Sequence, residues 1–206
     1  MNNCAHVISV NLIAILLILF SRIVYSANCG DPSPSVKKGI NPEVSIEPKE
    51  LKANEKKLIT EIFKLLEGEW QGEAHGIECV GRSGIEERTN EYLAKVSVNL
   101  KKRDSIEIEF DLHSSRNRSN AQFKDRLFLD NEYLMYEGKL SGFKATVLYV
   151  KDNFITYLRK YRTGAKGNIP FEYVRTIAIY GKDSLMIEDF KYVNGKLAFM
   201  RVYELK

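Results

Sequence analysis

Arginines and tyrosines alternate along the last third of the chain. Arg201 and Tyr203 share a face with Leu197, Phe199 and Leu205, Arg175 shares one with Tyr173, Ile177 and Ile179, and Arg159 stands between Tyr157 and Tyr161. In an extended strand, alternate side chains project to the same side. If these faces turn inward, Arg175 and Arg201 bring two guanidinium groups into an apolar interior, with Arg159 a weaker candidate for the same role. A buried guanidinium needs a counter-charge. Either a ligand carboxylate supplies it, gripped in bidentate fashion, or an internal acid such as Glu188 does.

Other chemistries are poorly provided for. His75 has the opposite parity to Trp70 and is expected on the surface; His113 follows Asp111 and precedes Ser114 and Ser115, but adjacency in sequence does not build a triad. The chain has no nucleophile elbow, phosphate loop or metal-ligand spacing. No catalytic residue and no metal ligand is assigned, and a non-enzyme is expected. The net charge of +4 falls to +3 if Arg22 is removed with the N-terminal segment, too mild a balance to imply nucleic acid.

The elements that would position these residues are almost all strands. After Gly68 the hydrophobic period becomes two: Tyr92, Ala94, Val96, Val98 and Leu100 alternate with polar residues, as do Ile106, Ile108, Phe110 and Leu112. Turn residues separate the runs at Arg103-Asp104, Asp130-Asn131, Asp152-Asn153, Gly181-Lys182-Asp183 and Asn194-Gly195. Strands are predicted near 69–79, 88–101, 106–113, 121–129, 132–137, 142–150, 154–162, 169–180, 184–193 and 196–205. Hairpin links without helical crossovers require antiparallel pairing, and the economical closure is a ten-stranded up-and-down barrel. Before it, Leu58, Ile59, Ile62, Phe63, Leu65 and Leu66 fall at helical spacing within 51–67, which predicts one short amphipathic helix ended by Gly68.

Gly68-Glu69-Trp70 at the first strand and Arg201-Val202-Tyr203 on the last resemble the calycin superfamily of lipocalins, fatty-acid-binding proteins and nitrobindin-like barrels. The resemblance covers Leu65 to Lys206. It implies that Gly68 and Trp70 open the barrel and that Arg201 packs over the indole as a plug, a cation–π contact worth about 0.5 to 2 kcal/mol. The fatty-acid-binding branch further implies that Arg201 and Tyr203, with Arg175 two strands earlier, hold a ligand carboxylate. The chain departs from that branch in having only Gly81 to Glu87 where a helical lid would stand. The nitrobindin-like branch shares the Gly68, Trp70, Gly72 opening, but its haem hangs from a late His and this chain has none after His113, so no cofactor is expected. Trp70, Gly72, Ala74 and Gly76 share a face; the small residues either leave room in the lumen or let the strand bend.

Residues 1–26 read as a signal peptide: Val7 to Phe20 is an almost unbroken apolar run, with Ser26 and Ala27 suitably placed for a peptidase. The mature protein is therefore expected to be secreted or periplasmic, an uncleaved N-terminal anchor being the alternative. Cleavage removes Cys4 and leaves Cys29 and Cys79, which favour a disulfide in an oxidising compartment. Residues 27–50 contain four prolines and few large apolar side chains, and are read as a flexible leader; 51–206 form a single barrel domain with its helix. Function is expected to be binding of a small apolar or carboxylate ligand. The alternative is an interaction protein that uses the barrel as a scaffold and docks an anionic protein or membrane surface through basic loops: Ser114 to Asn120 with Lys124 and Arg126, and Arg159 to Arg162 with Lys166. Asn117-Arg118-Ser119 is also a glycosylation sequon.

Overall fold

A computed structural model describes residues 27–41, 48–80, 86–114, 120–138, 141–163 and 169–206. The apolar N-terminal segment 1–26, the sequon, Arg116, Arg118, Lys166 and most of the connection from Gly81 to Glu87 lie outside the described residues.

Ten antiparallel strands close into an up-and-down barrel: β1 (Gly68–Val80), β2 (Glu86–Lys102), β3 (Ser105–Ser114), β4 (Asn120–Asp130), β5 (Tyr133–Gly138), β6 (Ser141–Lys151), β7 (Phe154–Thr163), β8 (Ile169–Tyr180), β9 (Ser184–Val193) and β10 (Lys196–Leu205). Each pairs with its neighbours in sequence, and β10 closes on β1 with Leu205 opposite Gly72 and Arg201 opposite Gly76. The expected turns form where expected. Asn131, Asp152 and Asn194 adopt positive φ, and Asn194-Gly195 has positive φ at both central residues, as a tight hairpin matched to strand twist demands.

The two ends of the barrel differ. The lower end carries the turns after β2, β4, β6 and β8 and helix α2 (Ala53–Leu66), whose Ile59, Ile62, Phe63 and Leu66 are buried while Leu65 on the other side is exposed. Glu55 accepts a hydrogen bond from the Lys52 amide at 2.8 Å and so caps the helix start. Gly68 at φ 144° turns the chain from α2 into β1. Trp70 then folds back and its Nε1 donates to the Leu66 carbonyl at 2.9 Å.

At the upper end lies the segment expected to be a free leader; its described part, 27–41, is instead docked. Pro32 bridges to Lys196, Ser33 N donates to Gly195 O at 2.8 Å, and Leu197 N donates to Asp31 O at 2.8 Å. A one-turn helix, α1 (Pro34–Lys37), follows Ser33, whose buried hydroxyl donates to Glu172 at 2.9 Å. The segment has no core of its own, as its composition predicts, so it borrows one: Ala27 packs on an outer-wall cluster of Leu158, Val174, Tyr192 and Leu197. Cys29 and Cys79 form the expected disulfide, which ties this strap to β1.

Gly72 and Gly76 have a simpler role than lumen or bend. A Cβ on Gly72 would lie 2.0 Å from the Glu204 carbonyl oxygen, and one on Gly76 would lie 2.7 Å from that of Met200. Glycine lets β10 approach β1 closely enough to close the barrel.

Candidate functional site

Strand register sorts the inward residues of β7, β8, β9, β10 and β1 into rows. The lower row is Ile155, Ile177, Ile187, Tyr203 and Ala74. The middle row is Tyr157, Arg175, Asp189, Arg201 and Gly76, and the upper row is Arg159, Tyr173, Lys191, Phe199 and Glu78. Moving up the barrel, the wall thus changes from aliphatic to charged within two residues of each strand. The predicted inward parity of Arg159, Arg175, Arg201, Tyr157 and Tyr203 is the parity of the structure.

Arg175 is wholly buried and wholly engaged by the protein. Its Nε donates to Asp189 Oδ1 at 2.6 Å and its Nη2 to Asp189 Oδ2 at 2.9 Å, a bidentate pair across neighbouring strands. Nη1 donates to Asp125 Oδ2 at 2.7 Å from the far wall, and Nη2 also donates to Tyr173 Oη at 3.1 Å. Tyr136 in turn donates its hydroxyl to Asp125. Burial opposes the Arg175 charge, but Asp189 and the groups around it outweigh that and hold its pKa well above the ordinary value. The internal acid is therefore Asp189, not Glu188. Glu188 lies opposite Thr176 and Val202 with the outward parity, and partial burial pushes its carboxyl up. Sequence reading found Arg175 but not Asp125. An aspartate at an inward position of an otherwise apolar alternation, between Phe123 and Leu127, was the available signal.

Arg201 does not plug the barrel over Trp70. It sits opposite Gly76, six residues along β1 from Trp70, which at about 3.3 Å per residue puts the two roughly 20 Å apart. Its guanidinium lies over Tyr92 at 4.7 Å and Phe199 at 4.8 Å instead. The plug of the lower end is Trp70 with α2. Arg159, 6% exposed, is likewise bracketed by rings, at 3.4 Å from Tyr136 and 4.0 Å from Tyr173. Neither Arg159 nor Arg201 forms an ion pair among the described residues.

Five polar atoms around the middle row are buried without a hydrogen-bond partner: Arg159 Nε, Arg201 Nε, Tyr157 Oη, Tyr203 Oη and Nδ2 of Asn90, which lies opposite Gly76. Burial raises the pKa values of both tyrosines; Arg201 lies close enough to Tyr203 to oppose that rise, though no hydrogen bond of good geometry joins them. Leaving such groups unmade costs about 1 to 3 kcal/mol each. All five stand at or beside the middle row, on the inner wall. Asp189, placed between Arg175 and Arg201, gives both oxygens to Arg175 and forms no ion pair with Arg201 among the described residues.

The remaining predicted residues are ordinary surface. His75 and His113 are exposed beside Glu73 and Asp111. An outer-wall groove of about 560 Å³ between β2, β3 and β4 carries Lys95 and Lys124, but Glu69, Glu107 and Glu109 already pair with them. The chain matches no protein-family model and no curated protein.

Proposed function

We propose that this protein is an exported, non-catalytic binding protein for a small apolar molecule with an anionic head, held in the upper half of the barrel. Arg201 and Tyr203, with Arg159 and Tyr157, take the head; Arg175 is scaffold. The observation that carries this reading is the set of unpartnered polar groups on the middle row of the inner wall and the rows next to it, beside a third arginine that the protein neutralises for itself. A ligand carboxylate offers the two acceptor oxygens these donors lack, and bidentate binding of a guanidinium is the geometry in which it does so. The calycin-like barrel, closed at its lower end, supports the same reading. Export is supported by the apolar run Val7 to Phe20 and by the Cys29–Cys79 disulfide, which suits an oxidising compartment.

Native mass spectrometry of the purified protein tests the proposal. A mass shift on adding a hydrophobic carboxylate is expected, reduced at least about tenfold in affinity by Arg201→Gln, since loss of a charge-assisted hydrogen bond costs roughly 1.5 to 3 kcal/mol. Affinity that ignores Arg201→Gln while falling with Arg175→Gln in a folded variant would assign the head to the wrong arginine.

A further inference from the structure

The floor of the site is closed. Tyr157 and Tyr203 are fully buried, and beneath them Ile155, Ile177, Ile187, Leu185 and Leu205 are each at most 1% exposed, above the buried face of α2. An apolar tail anchored at Arg201 cannot run downward into that packing. It must run up, toward the mouth.

The upward path is short and aromatic. From Tyr157 to the end of β7 at Thr163 is six residues, or about 20 Å of strand and roughly 15 Å of height once tilt is allowed for. Its walls are rings: Tyr161 stacks on Phe171 at 5.1 Å with planes 3° apart, Phe143 lies 5.7 Å from Tyr161, and Tyr92 and Phe199 flank Arg201. Tyr92, Phe143, Tyr161, Phe171 and Phe199 are all partly exposed. Charge is nearly balanced. Among the described inward residues that are not exposed, Arg159, Arg175, Lys191 and Arg201 stand against Glu78, Asp125 and Asp189, which leaves one positive charge.

Resting on the function proposed above, we infer that the ligand is a compact aromatic monocarboxylate, its ring among Tyr161, Phe171 and Phe199, and not a long-chain fatty acid. One negative charge balances the interior, and a second would be buried unpaired. Flat rings meet the aromatic walls in offset or edge-on contact. A long acyl chain gains nothing from methylenes that pass the mouth.

Titration calorimetry on the full-length chain tests this with naphthoate, its neutral carboxamide, a naphthalene dicarboxylate, and the saturated fatty acids from octanoate to palmitate. Naphthoate is expected to bind at least about tenfold more tightly than the carboxamide or the dicarboxylate. Among the fatty acids, affinity should climb about fourfold per methylene only until the tail reaches the mouth, then level off before palmitate. Phe171→Leu should weaken naphthoate several-fold more than octanoate, with far-ultraviolet circular dichroism confirming the fold. An unbroken rise to palmitate, still lost with Arg201→Gln, would overturn the aromatic assignment and leave the carboxylate site standing. Binding of no carboxylate, or binding indifferent to Arg201, would overturn both.

Discussion

Arg175 and Arg201 occupy one row of the barrel wall with Asp189 between them, yet they live in opposite electrostatic conditions. Arg175 receives both Asp189 oxygens, one Asp125 oxygen and the Tyr173 hydroxyl; Arg201, with no ion pair among the described residues, lies against the faces of Tyr92 and Phe199. The difference teaches how to separate a structural buried charge from a binding one. A guanidinium that the chain has saturated is part of the wall, and one bracketed by rings but left without acceptors is presented to something else. Rings confine the planar group from its faces while leaving its edge, where the N–H groups point, unoccupied.

The contrast predicts very different costs of mutation. The largest is at Asp189: Asp189→Ala should destabilise by about 3 to 5 kcal/mol, because it takes the bidentate partner from a fully buried guanidinium, and chemical denaturation would measure it. Arg201→Met should change stability by no more than about 1 kcal/mol, since it removes a charge that forms no ion pair among the described residues. Comparable losses for the two would erase the distinction on which the site rests.

A smaller effect sharpens the geometry next to Arg201. Gly72→Ala should cost about 1 to 3 kcal/mol, because its Cβ meets the Glu204 carbonyl, and Gly76→Ala less, because its closest approach is longer. Thermal unfolding of the two variants checks the order. If Gly76→Ala also lowers ligand affinity while Gly72→Ala does not, the binding row is at the level of Arg201 and not deeper.

Most of the fold was legible in the sequence because its signals are local. Period-two alternation, Asn-Gly and Asp-Asn turns and the helical spacing of Ile59, Ile62, Phe63 and Leu66 each depend on a few neighbouring residues. Inward parity of the arginines followed from the same alternation. What alternation cannot give is who faces whom across the barrel: Asp125 reaches Arg175 from β4, on the opposite wall, through a contact 50 residues apart in sequence. Arg201 was assigned to Trp70 by resemblance, and only the β1–β10 register shows that they belong to different ends. The strap at 27–41 was missed for a related reason. Its proline-rich composition excludes a core of its own but says nothing about borrowing one from the outer faces of Val174 and Tyr192.

The least of the expected effects concerns an acid on the outer face beside the same row. Partial burial raises the Glu188 carboxyl above its ordinary value. The native state therefore holds that proton more tightly than the unfolded chain, and stability contributed by the neutral form is lost as pH rises through the raised value. Since the side chain is partly exposed, screening keeps the effect to a few tenths of a kcal/mol, roughly. Glu188→Gln should flatten this component of the pH dependence of unfolding between about pH 4 and neutrality, while Asp189→Asn, which removes a paired carboxylate, should lower stability throughout that range. If Glu188→Gln instead destabilised at neutral pH by as much as the Asp189 change, Glu188 would be the partner of Arg175, and the protein would hold no reserved cation for a ligand.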